Sequence, residues 1–111
     1  MDRKAYLNII RQHLQTTYLL DEKKAEAMIP VFINTLKEHV DHLAEQVSNG
    51  SMEDLSRAIH AVKGALLNMG LTDLAKTAYV IERESKKGNT NLDFQNIVTD
   101  LQYTVFLLCE N

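Results

Sequence analysis

The chain has 111 residues, 45% of them hydrophobic, with four glycines, one proline and no tryptophan. That is the length of a single domain, 1–111, with enough apolar material for one packed core, and the scarcity of Gly and Pro points to helices rather than a turn-rich sheet protein. A formal charge of −3 without a dense run of Lys and Arg argues against a nucleic-acid partner, and no apolar stretch is long enough to span a membrane.

Residues 3 to about 16 place Tyr6, Leu7, Ile10 and Leu14 on one side of a short amphipathic helix, and Thr16-Thr17 weaken the pattern. Asp21 is a cap for the next helix, in which Ile29, Ile33, Leu36, Val40, Leu43 and Val47 form a long heptad-like stripe. Pro30 lacks an amide N–H and crowds the preceding turn, so a kink or a restart is expected there. Asn49-Gly50 ends this helix. Ser51 then caps a third helix, with Glu53 and Asp54 in its first turn, and Gly70 stops it.

That third helix carries two rows. Leu55, Ile59, Val62, Leu66 and Met69 make an apolar stripe, and away from it stand Arg57, His60, Lys63, Gly64 and Leu67. The second row presents an imidazole between two cations, because residues three and four apart share a face. Gly64 needs a reason, since a mid-helix glycine costs about 1 kcal/mol relative to alanine. Helical side chains lean toward the N-terminus, so a glycine at 64 leaves His60 unobstructed. The structural alternative for Gly64 is close helix packing.

Thr72 is expected to cap a fourth helix running to Lys86-Lys87-Gly88, and Thr90 with Asp93 to start a fifth, striped by Phe94, Ile97, Leu101, Val105 and Leu108. Narrow stripes joined by short turns predict an all-α, antiparallel up-down four-helix bundle, with the first short helix covering one end. Tyr79 and Tyr103 read as core or boundary aromatics. A lone Cys109 between Leu108 and Glu110 fits a reducing compartment, and Met1 leads into Asp2-Arg3-Lys4 without an apolar leader. The expectation is a free-standing, monomeric cytoplasmic protein.

The segment His60-Ala61-Val62-Lys63-Gly64 followed by Gly70 resembles the signature of histidine phosphotransfer (HPt) domains: a histidine, two residues, Lys-Gly, and a second glycine six residues further on. The following helix is also similar to that of the family, with Leu74, Ala75, Ala78, Ile81 and Glu82 in the expected places. The family often has small residues where this chain has Leu66 and Leu67, which places one extra leucine in the core and one on the His60 face. The resemblance implies a phosphorelay carrier with His60 as phosphoacceptor and Lys63 stabilising the phosphoryl group. Arg57, Gly64 and Leu67 would meet the partner. It further implies response-regulator receiver domains and a hybrid sensor histidine kinase as partners, with Mg2+ on the receiver and no cofactor of the chain's own.

The residues themselves agree in part. A histidine gives up its proton near neutral pH, and an ammonium one turn away can face the phosphoryl oxygens. No carboxylate lies within a turn of His60 on its own helix, so nothing there activates water, and no glycine-rich nucleotide loop is present. The reading is therefore a carrier rather than a kinase or phosphatase. The alternative is a helical-bundle adaptor that binds a receiver or kinase without carrying phosphate. Other constellations are poorer. His39 and His42 lack the Glu-x-x-His pattern of bundle metal sites, with His39 bordering the core and His42 in solvent. Ser56 and His60, read as an exposed pair, lack the third group and pocket of a hydrolase.

Overall fold

Five α-helices make up the regular structure of residues 1–88 and 92–109, the part of the chain described by the computed structural model. They are α1 (Arg3–Thr17), α2 (Glu22–Asn49), α3 (Met52–Asn68), α4 (Thr72–Lys86) and α5 (Phe94–Cys109).

Short polar side chains set most of the starts, because the first amides of a helix lack backbone acceptors. Asp2 accepts from the Ala5 amide and Asp21 from the Lys24 amide, each at 2.8 Å. Ser51 and Asp54 form a reciprocal capping box ahead of α3, with bonds of 3.1 and 3.4 Å. Asp93 accepts from the Asn96 amide at 3.1 Å ahead of α5, while Thr90 lies outside the described residues. The start of α4 departs from expectation: Thr72 is its first helical residue, and the cap position belongs to Leu71, whose side chain makes no hydrogen bond. Leu71 is buried, so apolar packing rather than a hydroxyl holds that turn.

The end of α3 follows from Gly70. Its φ of +76° suits a residue without Cβ. The Leu71 amide donates to the Leu66 carbonyl at 3.0 Å and the Gly70 amide to Leu67 at 3.1 Å, the paired pattern of a Schellman stop. No restart occurs at Pro30: α2 runs through it as one element of 28 residues. Ile29 and Ile33 are buried beside it while Pro30 itself is exposed, so the lost ladder bond falls where water can reach the stranded Glu26 carbonyl.

Most of the expected stripe positions are buried: Ile29, Ile33, Leu36, Val40 and Leu43 on α2, Leu55, Ile59, Val62 and Leu66 on α3, and Phe94, Leu101, Val105 and Leu108 on α5, to which Val98 is added, whereas Val47 and Ile97 are only partly buried at the edge of the core. Helix α2 packs against α3 and α5, and α3 against α4, giving the four-helix bundle. The molecule is a rod of 44 × 25 × 20 Å. Helix α1 lies on α2 and α5 with Ile10 and Leu14 fully buried. Beyond its end, Tyr18 donates to Asn68 Oδ1 at 3.4 Å and stacks on Phe32, so the first helix does cover one end of the bundle. Two aromatics correct the reading from sequence: Tyr79 and Tyr103 are 51% and 71% exposed, so neither belongs to the core.

Helices α3 and α4 make the most extensive contact in the bundle. The residues between them explain why. Ser56 on α3 and Ala75, Ala78 and Ser85 on α4 are buried and small, Ser56 and Ser85 lining one cleft, and the separation of two helices is set by the side chains at their contact. That close approach is what builds the site.

Candidate functional site

His60 stands midway along α3 with 69% of its side chain exposed. The backbone beneath it is fixed by the capping box at one end, the Gly70 stop at the other, and Ile59 and Val62 buried on the opposite side. Its Nδ1 lies 2.6 Å from Glu82 Oε2, and Lys63 Nζ donates to Glu82 Oε1, also at 2.6 Å. One carboxylate from α4 thus holds both members of the α3 motif. Lys86, one turn further along α4, brings its Nζ to 3.7 Å from Glu82 Oε2.

Glu82 is only 3% exposed. Burial pushes its carboxyl up, but hydrogen bonds from Lys63 and His60 and the charges of Lys63 and Lys86 outweigh burial and hold it below the ordinary glutamate range. An ionised carboxylate can only accept, so Nδ1 of His60 is the nitrogen that carries hydrogen in this contact. The lone pair of the neutral ring is then on Nε2, which makes no hydrogen bond among the described residues. The arrangement supplies an oriented imidazole with its nucleophilic nitrogen turned away from the bundle.

The remaining expected residues fall into place unequally. Gly64 borders the same face, and a Cβ built there meets nothing within 4 Å. Close helix packing is therefore not its purpose, and even His60 is out of reach of a single methyl. Only a longer side chain would extend over the imidazole. Leu67 is 47% exposed on this face, as its position implies, while Leu66 is in the core. Arg57 is a correction. Its guanidinium binds Glu53 at 3.3 Å and Asp54 at 2.8 Å, so it is tied to the first turn of its own helix rather than facing His60 as a second cation. Asp54 holds the guanidinium above its usual range, and Arg57, helped by Ser51, holds the Asp54 carboxyl below its own. Ser56 is buried rather than paired with His60 in the open. His39 is half-buried and His42 exposed, with Nδ1 of His42 4.0 Å from Glu45.

The absence of a carboxylate beside His60 held only for α3. Sequence reasoning saw Glu82 as part of a pattern but missed what it does, and it missed Tyr79, whose ring centroid lies 5.6 Å from Lys63 Nζ and 5.8 Å from the Arg83 guanidinium. A signal for Glu82 existed. It shares a face with Ala75, Ala78, Ile81 and Ser85, and a charge on a buried face demands partners, which only a neighbouring helix can provide.

Comparison with known protein families matches residues 27–104 to the Hpt domain. The chain belongs to the Hpt domain family. The match spans most of α2, all of α3 and α4 and most of α5, and includes His60, Lys63, Gly64, Gly70 and Glu82. Hpt domains are phosphocarriers of phosphorelay signalling without a catalytic site of their own, and that general role comes to the chain with the family. Neither the curated proteins nor the solved structures compared with the chain gave a match. Among the described residues no helix is long and apolar enough to cross a membrane.

Proposed function

We propose that this Hpt domain takes a phosphoryl group on His60 from the aspartate of one receiver domain and passes it to the aspartate of another. The observation that carries the reading is the pair of contacts on Glu82. They hold Nδ1 as the protonated nitrogen and leave Nε2 exposed as the attacking one. In the forward step the Nε2 lone pair attacks phosphorus, the N–P bond forms, and the P–O bond to the donor aspartate breaks with its electron pair leaving on the carboxylate. Nδ1 keeps its proton. The ring gains positive charge as the bond forms, and the Glu82 carboxylate faces that charge from 2.6 Å. Lys63 stands on the other oxygen of the same carboxylate, with two further N–H donors to turn toward the phosphoryl oxygens. Glu82 is engaged on both oxygens, so it is poorly placed to activate water, and the phosphohistidine persists.

Gly64 and Leu67 form the adjoining surface on which a receiver docks, and Arg57 contributes at its edge. The docked receiver brings the Mg2+ that its acyl phosphate requires, and this chain uses no cofactor of its own. A hybrid sensor histidine kinase supplies the first receiver. The setting is cytoplasmic and the carrier is monomeric.

The test is to mix the purified protein with a phosphorylated receiver and to assay acid-labile, base-stable phosphate on it. The expected result is label on the wild type and none on His60→Gln. Equal labelling of both, or labelling of neither by a range of receivers, overturns the reading, and the second outcome favours a non-phosphorylated adaptor.

A further inference from the structure

Resting on the phosphocarrier reading, we propose that Tyr79 is a positioning residue: its ring covers the Lys63 ammonium and keeps it beside His60, poised to move from Glu82 to the phosphoryl oxygens.

Three observations converge on this. The first is that Tyr79 is where an economical helix surface would not put an aromatic. It is 51% exposed, makes no hydrogen bond among the described residues, and lies one turn before Glu82 on α4. Second, its ring centroid is 5.6 Å from Lys63 Nζ, within the range at which a ring face attracts a cation. Lys63, between this ring and Glu82, is 22% exposed although it shares a helix face with His60, which is 69% exposed. The third is that Glu82 alone does not fix the ammonium. A lysine is a point charge on a flexible four-carbon stem, and one hydrogen bond leaves it free to pivot about the acceptor. Tyr79 removes part of that freedom without taking an N–H donor.

The ring suits the step better than a second carboxylate would. A carboxylate would compete with the phosphoryl group for the ammonium, whereas a ring face holds the charge by its quadrupole and gives up no acceptor. Lys63 can then exchange one hydrogen bond on Glu82 for one on a phosphoryl oxygen while remaining over the same ring. Arg83, 5.8 Å from the ring and 3.5 Å from Glu84, braces Tyr79 from along α4.

The experiment is a double-mutant cycle on single-turnover transfer at saturating phosphorylated receiver, using Tyr79→Leu, Tyr79→Phe and Lys63→Met in the full chain. Tyr79→Leu is expected to slow transfer roughly two- to fivefold, the size of one cation–π contact at a half-exposed site. Tyr79→Phe restores the rate, because the ring and not the hydroxyl is in contact. In the Lys63→Met background Tyr79→Leu has no further effect. A full Tyr79→Leu penalty in that background overturns the proposal, since the ring would then act on the partner directly. So does a Tyr79→Phe variant as slow as Tyr79→Leu, or a Tyr79→Leu variant as fast as wild type. A second readout needs no transfer: the Lys63 side-chain methylene protons show an upfield ring-current shift in the wild type and Tyr79→Phe that vanishes in Tyr79→Leu. If the wild type takes no His60-dependent label, the carrier reading fails while the shift still decides whether Tyr79 covers Lys63, and a missing shift overturns the inference whatever the label shows.

Discussion

A buried carboxylate with two donors is the residue on which His60 depends. Replacing it by an amide keeps the shape and changes the chemistry. Glu82→Gln can no longer face a cationic ring with a charge, and its NH2 competes to donate to Nδ1. The expected outcome is a mixture of imidazole tautomers in nitrogen NMR where the wild type shows a single form protonated at Nδ1. Transfer should fall roughly ten- to a hundredfold, by analogy with loss of the carboxylate that orients a metal-binding histidine. The same carboxylate has a pH consequence. Its pKa in the folded protein is below the unfolded value, so ionised Glu82 contributes stability that is fully present above the ordinary glutamate value of about 4.3 and is lost as pH falls through the lower folded value. Unfolding followed by denaturant from pH 6 to pH 3 should therefore show a steeper acid loss in the wild type than in Glu82→Gln. Equal slopes would mean that His60 and Lys63 do not hold the carboxylate ionised.

Along α3 two glycines have opposite reasons, and substitution distinguishes them. A methyl at 64 meets nothing, so Gly64→Ala should raise stability by about 1 kcal/mol, read as a higher melting temperature. Gly64→Gln should retain that helix content and lose transfer severely, since the longer chain extends over the imidazole. At 70 the backbone has a φ of +76°, and a Cβ would lie 2.6 Å from the His13 ring. Gly70→Ala should thus destabilise by more than about 1 kcal/mol, through strain and displacement of α1. The first of these reasons was half legible in the sequence. The spacing His60-x-x-Lys63-Gly64 showed which face was open, but only the packing shows that nothing in the chain itself requires the glycine. The cap of α4 was misread for a related reason: Thr72 has the right chemistry for a cap, yet Leu71, being buried, takes the position. Local propensity gave way to core packing.

The bundle as a whole was legible because each helix shows its stripe at helical spacing and each turn is short. What was not legible is which helices press together most closely, and that decides the site. Ala75 and Ala78 stood in the sequence only as part of a pattern, but with Ser56 and Ser85 they are small and buried where α3 and α4 come near enough for a glutamate of one to reach a histidine and a lysine of the other. Helix α1 lies at the far end of this arrangement, against α2 and α5. Leu14→Ala, which empties a fully buried position there, should cost about 2–5 kcal/mol and lower the melting temperature. Transfer measured well below the new melting point should be unchanged. A loss of transfer in the folded variant would show that the end cap and the His60 face are coupled.

The imidazole and the carboxylate that orients it arrive from different helices, and this makes the fold a gatekeeper. A helix slipped by one turn displaces its side chains by about 5.4 Å, enough to sever both bonds at Glu82. A misassembled chain therefore keeps its motif yet lacks the contacts that orient His60 and Lys63. If His60 carries phosphate as proposed, loading should be slower in a misassembled chain than in a completed bundle.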